Sequence, residues 1–401
     1  MIHLAMKFHL PALACLLLSL VGSGCLHGKE NAKPLKELFE KDFLIGNALG
    51  GGLGRHPLYR NDEKALEILT REFNSVTPEN CMKMEFIQPR EGSFKFAAAD
   101  ALLELAESNG MAVVGHTLIW HSQAPDWIFK DKSGNRVSRD VLIERMRTHI
   151  HTVVGRYKGR IAYWDVVNEA IQTKMVRDNS RKNPDGSFIE KEVAFYRPSP
   201  WYEIIGEEYV ELAFKFAHEA DPEAKLLYND YSMFHEAKAR FAAKMVADIK
   251  AKGIPVHGVG MQGHWHLQYP SMKQVQDAID ILSGAGVKIS ITELDVGVLP
   301  LADGFQGADV NRKAELRKEL DPYTKKVPRN VLKKQAQKYK SIFELLLENR
   351  DRIDRVTIWG VVDKHSWKNN WPIEGRTAHP LLFDRNYEPK PAYWAITELK
   401  K

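Results

Sequence analysis

Along most of the chain, short apolar runs alternate with longer stretches in which apolar residues recur every three or four positions. The short runs are Phe43 to Leu49, Asn74 to Glu79, Ala112 to Trp120, Ile161 to Glu169, Lys225 to Tyr231, Gly258 to Trp265, Lys288 to Val296 and Arg355 to Asp363. Each has strand length and strand composition. The stretches between them predict amphipathic helices. Val141, Leu142, Met146, His149, Ile150 and Val153, for example, follow Ser138, a residue suited to cap a helix, and a last helical segment lies near Ala392 to Leu399. Eight alternating units in one chain predict an α/β fold, a closed parallel (β/α)8 barrel of the TIM type rather than an open doubly wound sheet. Gly50-Gly51-Gly52-Leu53-Gly54 follows the first run but lacks the Gly-x-Gly-x-x-Gly spacing of a dinucleotide site. It reads as a flexible loop, with a phosphate cradle as the second choice.

Two longer pieces interrupt the repeat, Gln172 to Pro200 and Gly297 to Pro328. They follow the fourth and seventh runs and are expected to be extended βα loops walling a cleft; the first holds a turn signal at Asn183 to Gly186. Neither has linker composition, so a single domain is expected. The run ends are chemically loaded: Glu79-Asn80, His116, Trp120-His121, Asn168-Glu169, Asn229-Asp230, Gln262, His264, Glu293, Asp295, Trp359 and Asp363. Any one of these could be a structural polar residue. Recurrence at nearly every end of a barrel strand points to one shared cleft, because polar groups buried separately would each need a partner.

Composition narrows the partners. The chain has 401 residues and a formal charge of only +5, with basic residues scattered among acidic ones, so nucleic acid is not an expected partner. The N-terminus differs from the rest: Lys7 and His9 precede an apolar run from Leu10 to Val21, then Gly22, Ser23, Gly24 and Cys25. That is the pattern of an export signal, too short to span a bilayer comfortably. Cys25 after small residues resembles a lipoprotein cleavage site, although Gly22 stands where an aliphatic residue is usual. Two outcomes stay open, plain cleavage and lipidation of Cys25. The expected layout is a signal peptide over residues 1–25, a tether over 26–32 and a catalytic barrel over 33–401. The expected location is exported: secreted, periplasmic or lipid-anchored, with no membrane contact except through that lipid. Of the three cysteines, Cys15, Cys25 and Cys81, only Cys81 lies in the barrel, which leaves no internal disulfide and no cysteine-based metal site. No metal or other cofactor is expected.

Glu169 and Glu293, at the ends of the fourth and seventh strands, would face each other across the barrel mouth. A carboxyl pair of this kind is what glycosidic hydrolysis requires: one protonates the departing oxygen, and the other attacks the anomeric carbon or activates water. The motifs around them resemble those of glycoside hydrolase family 10, the xylanases. Trp164-Asp165-Val166-Val167-Asn168-Glu169-Ala170 resembles its acid/base motif and Ile291-Thr292-Glu293-Leu294-Asp295 its nucleophile motif. Matches at Thr77 to Lys83, His116 to His121, Tyr228 to Tyr231, Met261 to Trp265, Trp359 to Trp367 and Pro380 to Asp384 extend the likeness over nearly the whole chain.

The resemblance implies endo-acting hydrolysis of β-1,4-xylosidic bonds in xylan and xylo-oligosaccharides, by a retaining double displacement with Glu169 as acid/base and Glu293 as nucleophile. It further implies that Asn168 holds the sugar 2-hydroxyl, that His264 aligns the nucleophile with Asp295 behind it, and that Glu79, Asn80 and Lys83 grip the neighbouring xylose. His116, Trp120 and Gln262 match further sugar contacts. Trp359 and Trp367 would stack on sugar faces, the second crowding the space where glucose carries its hydroxymethyl group. A monomer is expected. His121 is read as orienting others, Cys81 as small and inert, and the Trp371 to His379 lip as tuning the subsites. Three rival readings remain. One is a metal-dependent hydrolase using His264 and His266 with His116, His121 or Asp363. The others are a carbohydrate-binding protein without activity and a cellulase on the same barrel.

Overall fold

The alternation of apolar runs and helical stretches is realised as eight parallel strands closed on themselves. In the structure, a computed structural model, residues 33–50, 62–302 and 308–400 are described. The export signal, the 26–32 tether, Cys25 and Gly51 to Gly54 lie outside them. The barrel strands are β1 (Leu44–Leu49), β2 (Ser75–Pro78), β3 (Ala112–Trp120), β4 (Tyr163–Asn168), β7 (Lys225–Tyr231), β8 (Gly258–His266), β9 (Lys288–Gly297) and β10 (Ile353–Ile358). Their order around the barrel is β1-β10-β9-β8-β7-β4-β3-β2, with every neighbouring pair parallel. Such strands are covered by helices outside and by each other inside, so they read as apolar runs rather than as alternating ones. In β8 all nine residues are buried. The described residues from Pro34 onward form one compact unit, and no helix among them is long and apolar enough to cross a membrane.

Several helices begin at a residue whose side chain caps them. Ser138 accepts the N–H of Val141 at the start of Arg139–Arg156, whose inner stripe is Leu142, Met146, His149, Ile150, Val153 and Val154. Val141, counted in the apolar pattern, is 43 % exposed and lies off that stripe. Ser271 and Gln274 form a reciprocal capping box at Met272–Ser283. The last helix, Pro391–Thr397, closes the chain as expected.

Two expectations change. The segment read as the loop Gln172 to Pro200 is an antiparallel hairpin, β5 (Ile171–Lys182) and β6 (Phe188–Tyr196), turning through Asn183 to Gly186. Its alternation is weak in the sequence because most of its residues are exposed or half-buried. Tyr196 packs edge-on against Phe241, and Glu192 meets His235 at 3.1 Å, which fastens the hairpin to helix Glu236–Ala251. The eighth run ends at Ile358 rather than at Asp363, because Gly360 takes φ +131° and turns the chain. Asp363 is therefore not a cleft residue. Fully buried, it accepts the N–H of Leu381 and pairs with Lys390 at 3.0 Å, anchoring the C-terminal segment. The described residues of the long stretch after β9 are irregular apart from a short turn of helix at Lys318–Leu320.

Inside the barrel, small residues make room for large ones. A Cβ on Gly115 of β3 would lie 2.1 Å from Cε3 of Trp164, a fully buried ring on the neighbouring strand. Gly115→Ala should therefore destabilise the fold by about 2–3 kcal/mol through overpacking. Equilibrium denaturation measures this, and a loss below about 0.5 kcal/mol would contradict the packing argument.

Candidate active site

The carboxyl ends of the strands open into one cleft. It is lined by Glu79, Asn80, Lys83, His116, Trp120, Gln123, Asn168, Glu169, Gln262, His264, Glu293, Ala308, Val310, Trp359 and Trp367. Of the residues assigned a role in catalysis or sugar binding, Asp295 alone does not line it and sits directly behind His264; of the other strand-end residues, His121, Asn229, Asp230 and Asp363 do not line it either. Gln123, Ala308 and Val310 were not anticipated, since they lie on irregular segments with no periodic signal.

Local backbone aims the two glutamates. Glu169 and Glu293 have φ of +60° and +58°, a region that side chains of this kind rarely adopt. At Glu293 the pairing slips on both sides: Gln262 pairs with Thr292 and His264 with Asp295, while Val356 pairs with Ile291 and Ile358 with Leu294. Glu293 is thus passed over by one register or the other, a bulge that re-aims its side chain into the cleft. Glu169 is held at both ends. Its N–H donates to the Asn229 carbonyl at 2.9 Å, and its carbonyl accepts from Arg197 Nε at 2.9 Å. Arg197 follows β6, so the unforeseen hairpin supplies a support for the residue at which β4 ends.

The hydrogen bonds distinguish the two carboxyls. Glu169 Oε2 accepts from Trp120 Nε1 at 2.9 Å, and Oε1 from Gln262 Nε2 at 3.1 Å and Asn168 Nδ2 at 3.2 Å. All three donors are neutral. Glu293 Oε2 instead meets His264 Nε2 at 2.9 Å, while Oε1 accepts from Asn229 Nδ2 at 2.8 Å. The other ring nitrogen of His264 bonds to Asp295 Oδ2 at 2.9 Å. Asn229, a strand-end residue within the matching segment Tyr228 to Tyr231 that has no role assigned from the sequence, ties the halves together: Nδ2 also reaches Asn168 Oδ1 at 2.9 Å, and Oδ1 accepts from Thr292 at 2.6 Å.

Those surroundings pull the two acids apart. Burial pushes the Glu169 carboxyl up to about 7; the Arg197 charge opposes this, and the charges of Asp230 and Glu293 reinforce it. Burial would raise Glu293 too, but the bond and charge of His264 outweigh it and hold that carboxyl below its ordinary range. Although burial alone would keep His264 neutral, the Asp295 charge raises it to about 9, so it stays an imidazolium. At neutral pH, one glutamate is poised to hold a proton and the other to be ionised.

Around the pair, Lys83 is buried rather than solvated. Its ammonium donates to Gln123 Oε1 at 2.9 Å and Asn80 Oδ1 at 3.2 Å, and lies 4.7 Å from the centre of the Trp120 ring. Trp359 meets His116 edge-on at 5.4 Å, and His116 is itself bonded to Asp165 at 2.9 Å. Trp367 donates Nε1 to Asp295 Oδ2 at 3.0 Å and stacks on Trp371 at 4.6 Å, so the Trp371 lip supports this ring from behind. His121 lies with Nδ1 3.9 Å from Glu169 Oε2, and burial lowers it to about 3, which keeps it neutral. The Cys81 thiol is buried and pushed up to about 12, as an inert cysteine should be. His264 and His266 do not converge: His266 Nε2 bonds to the Leu299 carbonyl at 2.9 Å instead. Among the described residues no three His, Cys, Asp or Glu side chains are arranged to hold a metal ion.

Known proteins resemble the chain along nearly the whole described unit. The profile of Glycosyl hydrolase family 10 matches residues 34–399. Endo-1,4-beta-xylanase A of Xylanibacter ruminicola is 44 % identical over 370 residues, covering 92 % of this chain and 94 % of that one. Endo-1,4-beta-xylanase of Geobacillus stearothermophilus is 40 % identical, covering 91 % and 98 %. Among solved structures, a GH10 endoxylanase retrieved from a sugarcane soil metagenome superposes with a TM-score of 0.82 at 42 % identity, over 91 % of this chain and 99 % of that one. The closed barrel, the paired glutamates at its mouth and a profile match spanning nearly all described residues lead to one conclusion: the chain belongs to glycosyl hydrolase family 10.

Proposed function

We propose that the chain is an endo-acting β-1,4-xylanase that retains anomeric configuration, with Glu169 as general acid/base and Glu293 as nucleophile. The observation that carries the assignment of roles is the opposite protonation bias of two buried glutamates in one cleft. Glu293, ionised and aligned by His264, attacks C1 of the sugar while Glu169 gives its proton to the departing glycosidic oxygen. A glycosyl ester forms on Glu293, and the shortened chain leaves as an alcohol. The Glu293 charge is then gone, so Glu169 becomes more acidic and takes a proton from water as that water attacks C1. The ester breaks, Glu293 is an anion again, and Glu169 has regained its proton.

Xylan as substrate is supported by the names of the relatives and by Trp367, whose ring is held over the cleft from two sides. Asn168 is assigned to the 2-hydroxyl, where a contact strengthens as positive charge develops on the sugar. Asn80, Lys83 and Glu79 are assigned to the adjacent xylose, with His116, Trp120, Gln262 and Trp359 completing the grip. Xylo-oligosaccharides are accepted by the same site, and the protein acts as a monomer. The layout is an export signal over 1–25, a tether over 26–32 and the catalytic barrel over 33–401, with Cys25 lipidated or the signal simply cleaved.

Assays on xylan and carboxymethylcellulose, with and without a chelator, test the reading. Xylan should be cut at a rate unaffected by chelation, and turnover confined to cellulose would sink the substrate assignment. The pH profile of kcat/KM should be bell-shaped. Its alkaline limb falls as Glu169 loses its proton near pH 7, and its acid limb falls as Glu293 gains one below the ordinary glutamate range. An alkaline limb that survives in Glu169→Gln would contradict that role. With natural substrate, Glu169→Ala should lose about 10²–10⁴-fold in rate. Azide should rescue Glu169→Ala to a sugar azide of retained configuration and Glu293→Ala to an inverted one; the reverse pattern exchanges the two roles.

A further inference from the structure

Lys368 takes no part in the roles assigned above, yet its ammonium lies 2.6 Å from Asp295 Oδ1. The lysine side chain is 15 % exposed and that of Asp295 not at all, so water screens the pair little. The other oxygen of Asp295 is shared by His264 Nδ1 and Trp367 Nε1, at 2.9 and 3.0 Å. His264 Nε2 then reaches Glu293 Oε2 at 2.9 Å. Four groups follow one another across the wall of the cleft with alternating charge: lysine, aspartate, histidine, glutamate.

We propose that Lys368 is a positioning residue for the nucleophile, its charge keeping Asp295 ionised so that His264 remains a fixed cationic donor to Glu293. The proposal rests on Glu293 being the nucleophile. A buried carboxylate without compensation is costly and takes up a proton readily. Burial would raise the Asp295 carboxyl, and the charge of Lys368, ahead of that of His264, reverses this. With lysine present the four groups sum to zero. Without it the remaining three carry one negative charge, and the next proton enters more easily. Whether that proton lands on Glu293 or on Asp295, the aligned carboxylate is lost.

Other groups face the same site, and none replaces the lysine. Toward Glu293 come His116 of β3, Asn229 of β7, Glu169 at the end of β4, Arg355 of β10, and Glu79 with Lys83 after β2. Toward Asp295 comes the Tyr339 hydroxyl of helix Arg329–Glu348, which is neutral and donates to the Pro380 carbonyl. Among the described residues, Lys368 and His264 are the two cations in direct contact with Asp295.

The test is kcat/KM against pH, on an aryl β-xylobioside, for the full-length wild type and for Lys368→Met, Lys368→Gln and Lys368→Arg. Removing the charge should move the acid limb to higher pH by about one unit, a loss of about tenfold at any pH below the limb. The plateau should return at higher pH, and Lys368→Arg should keep the limb near its wild-type position. An unmoved limb in the neutral variants, or an equal displacement in Lys368→Arg, overturns the proposal. If both neutral variants lose native near-UV circular dichroism, the lysine is a structural support and the proposal also fails. A wild type without turnover sinks the xylanase reading and this inference together; an active wild type whose limb ignores Lys368 sinks the inference alone.

Discussion

The contact between His264 and Glu293, 2.9 Å long and largely buried, is the interaction around which the cleft is organised. A carboxylate buried to this degree would ordinarily take up a proton. What prevents it is a cation of fixed position, held charged against burial first by Asp295, itself fully buried and bonded to the opposite ring nitrogen, and then by Glu293 itself. Glu169, at the end of a strand three places away around the barrel, receives only neutral donors. The same kind of side chain, at the same depth, is therefore driven in opposite directions by what its neighbours can donate.

Such a division of labour demands placement finer than regular strands provide. Both glutamates sit in left-handed backbone, and Glu293 occupies a bulge where pairing on either side is out of step. The surrounding barrel makes these conformations tolerable. Arg197 clasps the Glu169 carbonyl, Asn229 bridges Asn168 and Glu293, and Thr292 orients Asn229 in turn. Rigid packing such as that of Trp164 over Gly115 supplies the frame. The cleft thus inherits its order from buried residues that never reach a substrate.

Much of this was legible along the chain. Continuous apolar runs marked the barrel strands because those strands are buried on both faces, and serines such as Ser138 marked helix starts because their side chains satisfy N–H groups that the helix cannot. Hairpin β5–β6 escaped notice for the converse reason: charged residues occupy much of both its strands, so no apolar alternation announced it. Asp363 looked like a cleft residue because it follows an apolar run, but one turn at Gly360 sends it into the protein to meet Lys390. Val141 fitted a helical stripe in spacing and missed it in angle.

What the amino-acid order determined by itself was the set of elements, and the residue types that gather where strands end; both follow from local periodicity and burial, which are properties of short segments. Motif likeness added which glutamate does what. Only the tertiary structure decided the protonation bias of those glutamates, the burial of Lys83, the bracing of Trp367 by Trp371 and the presence of Lys368 beside Asp295. Each of these depends on groups far apart in sequence brought within a few ångströms in a medium of low polarity. The strength of such an interaction is set by distance and desolvation, and neither quantity exists until the barrel has closed.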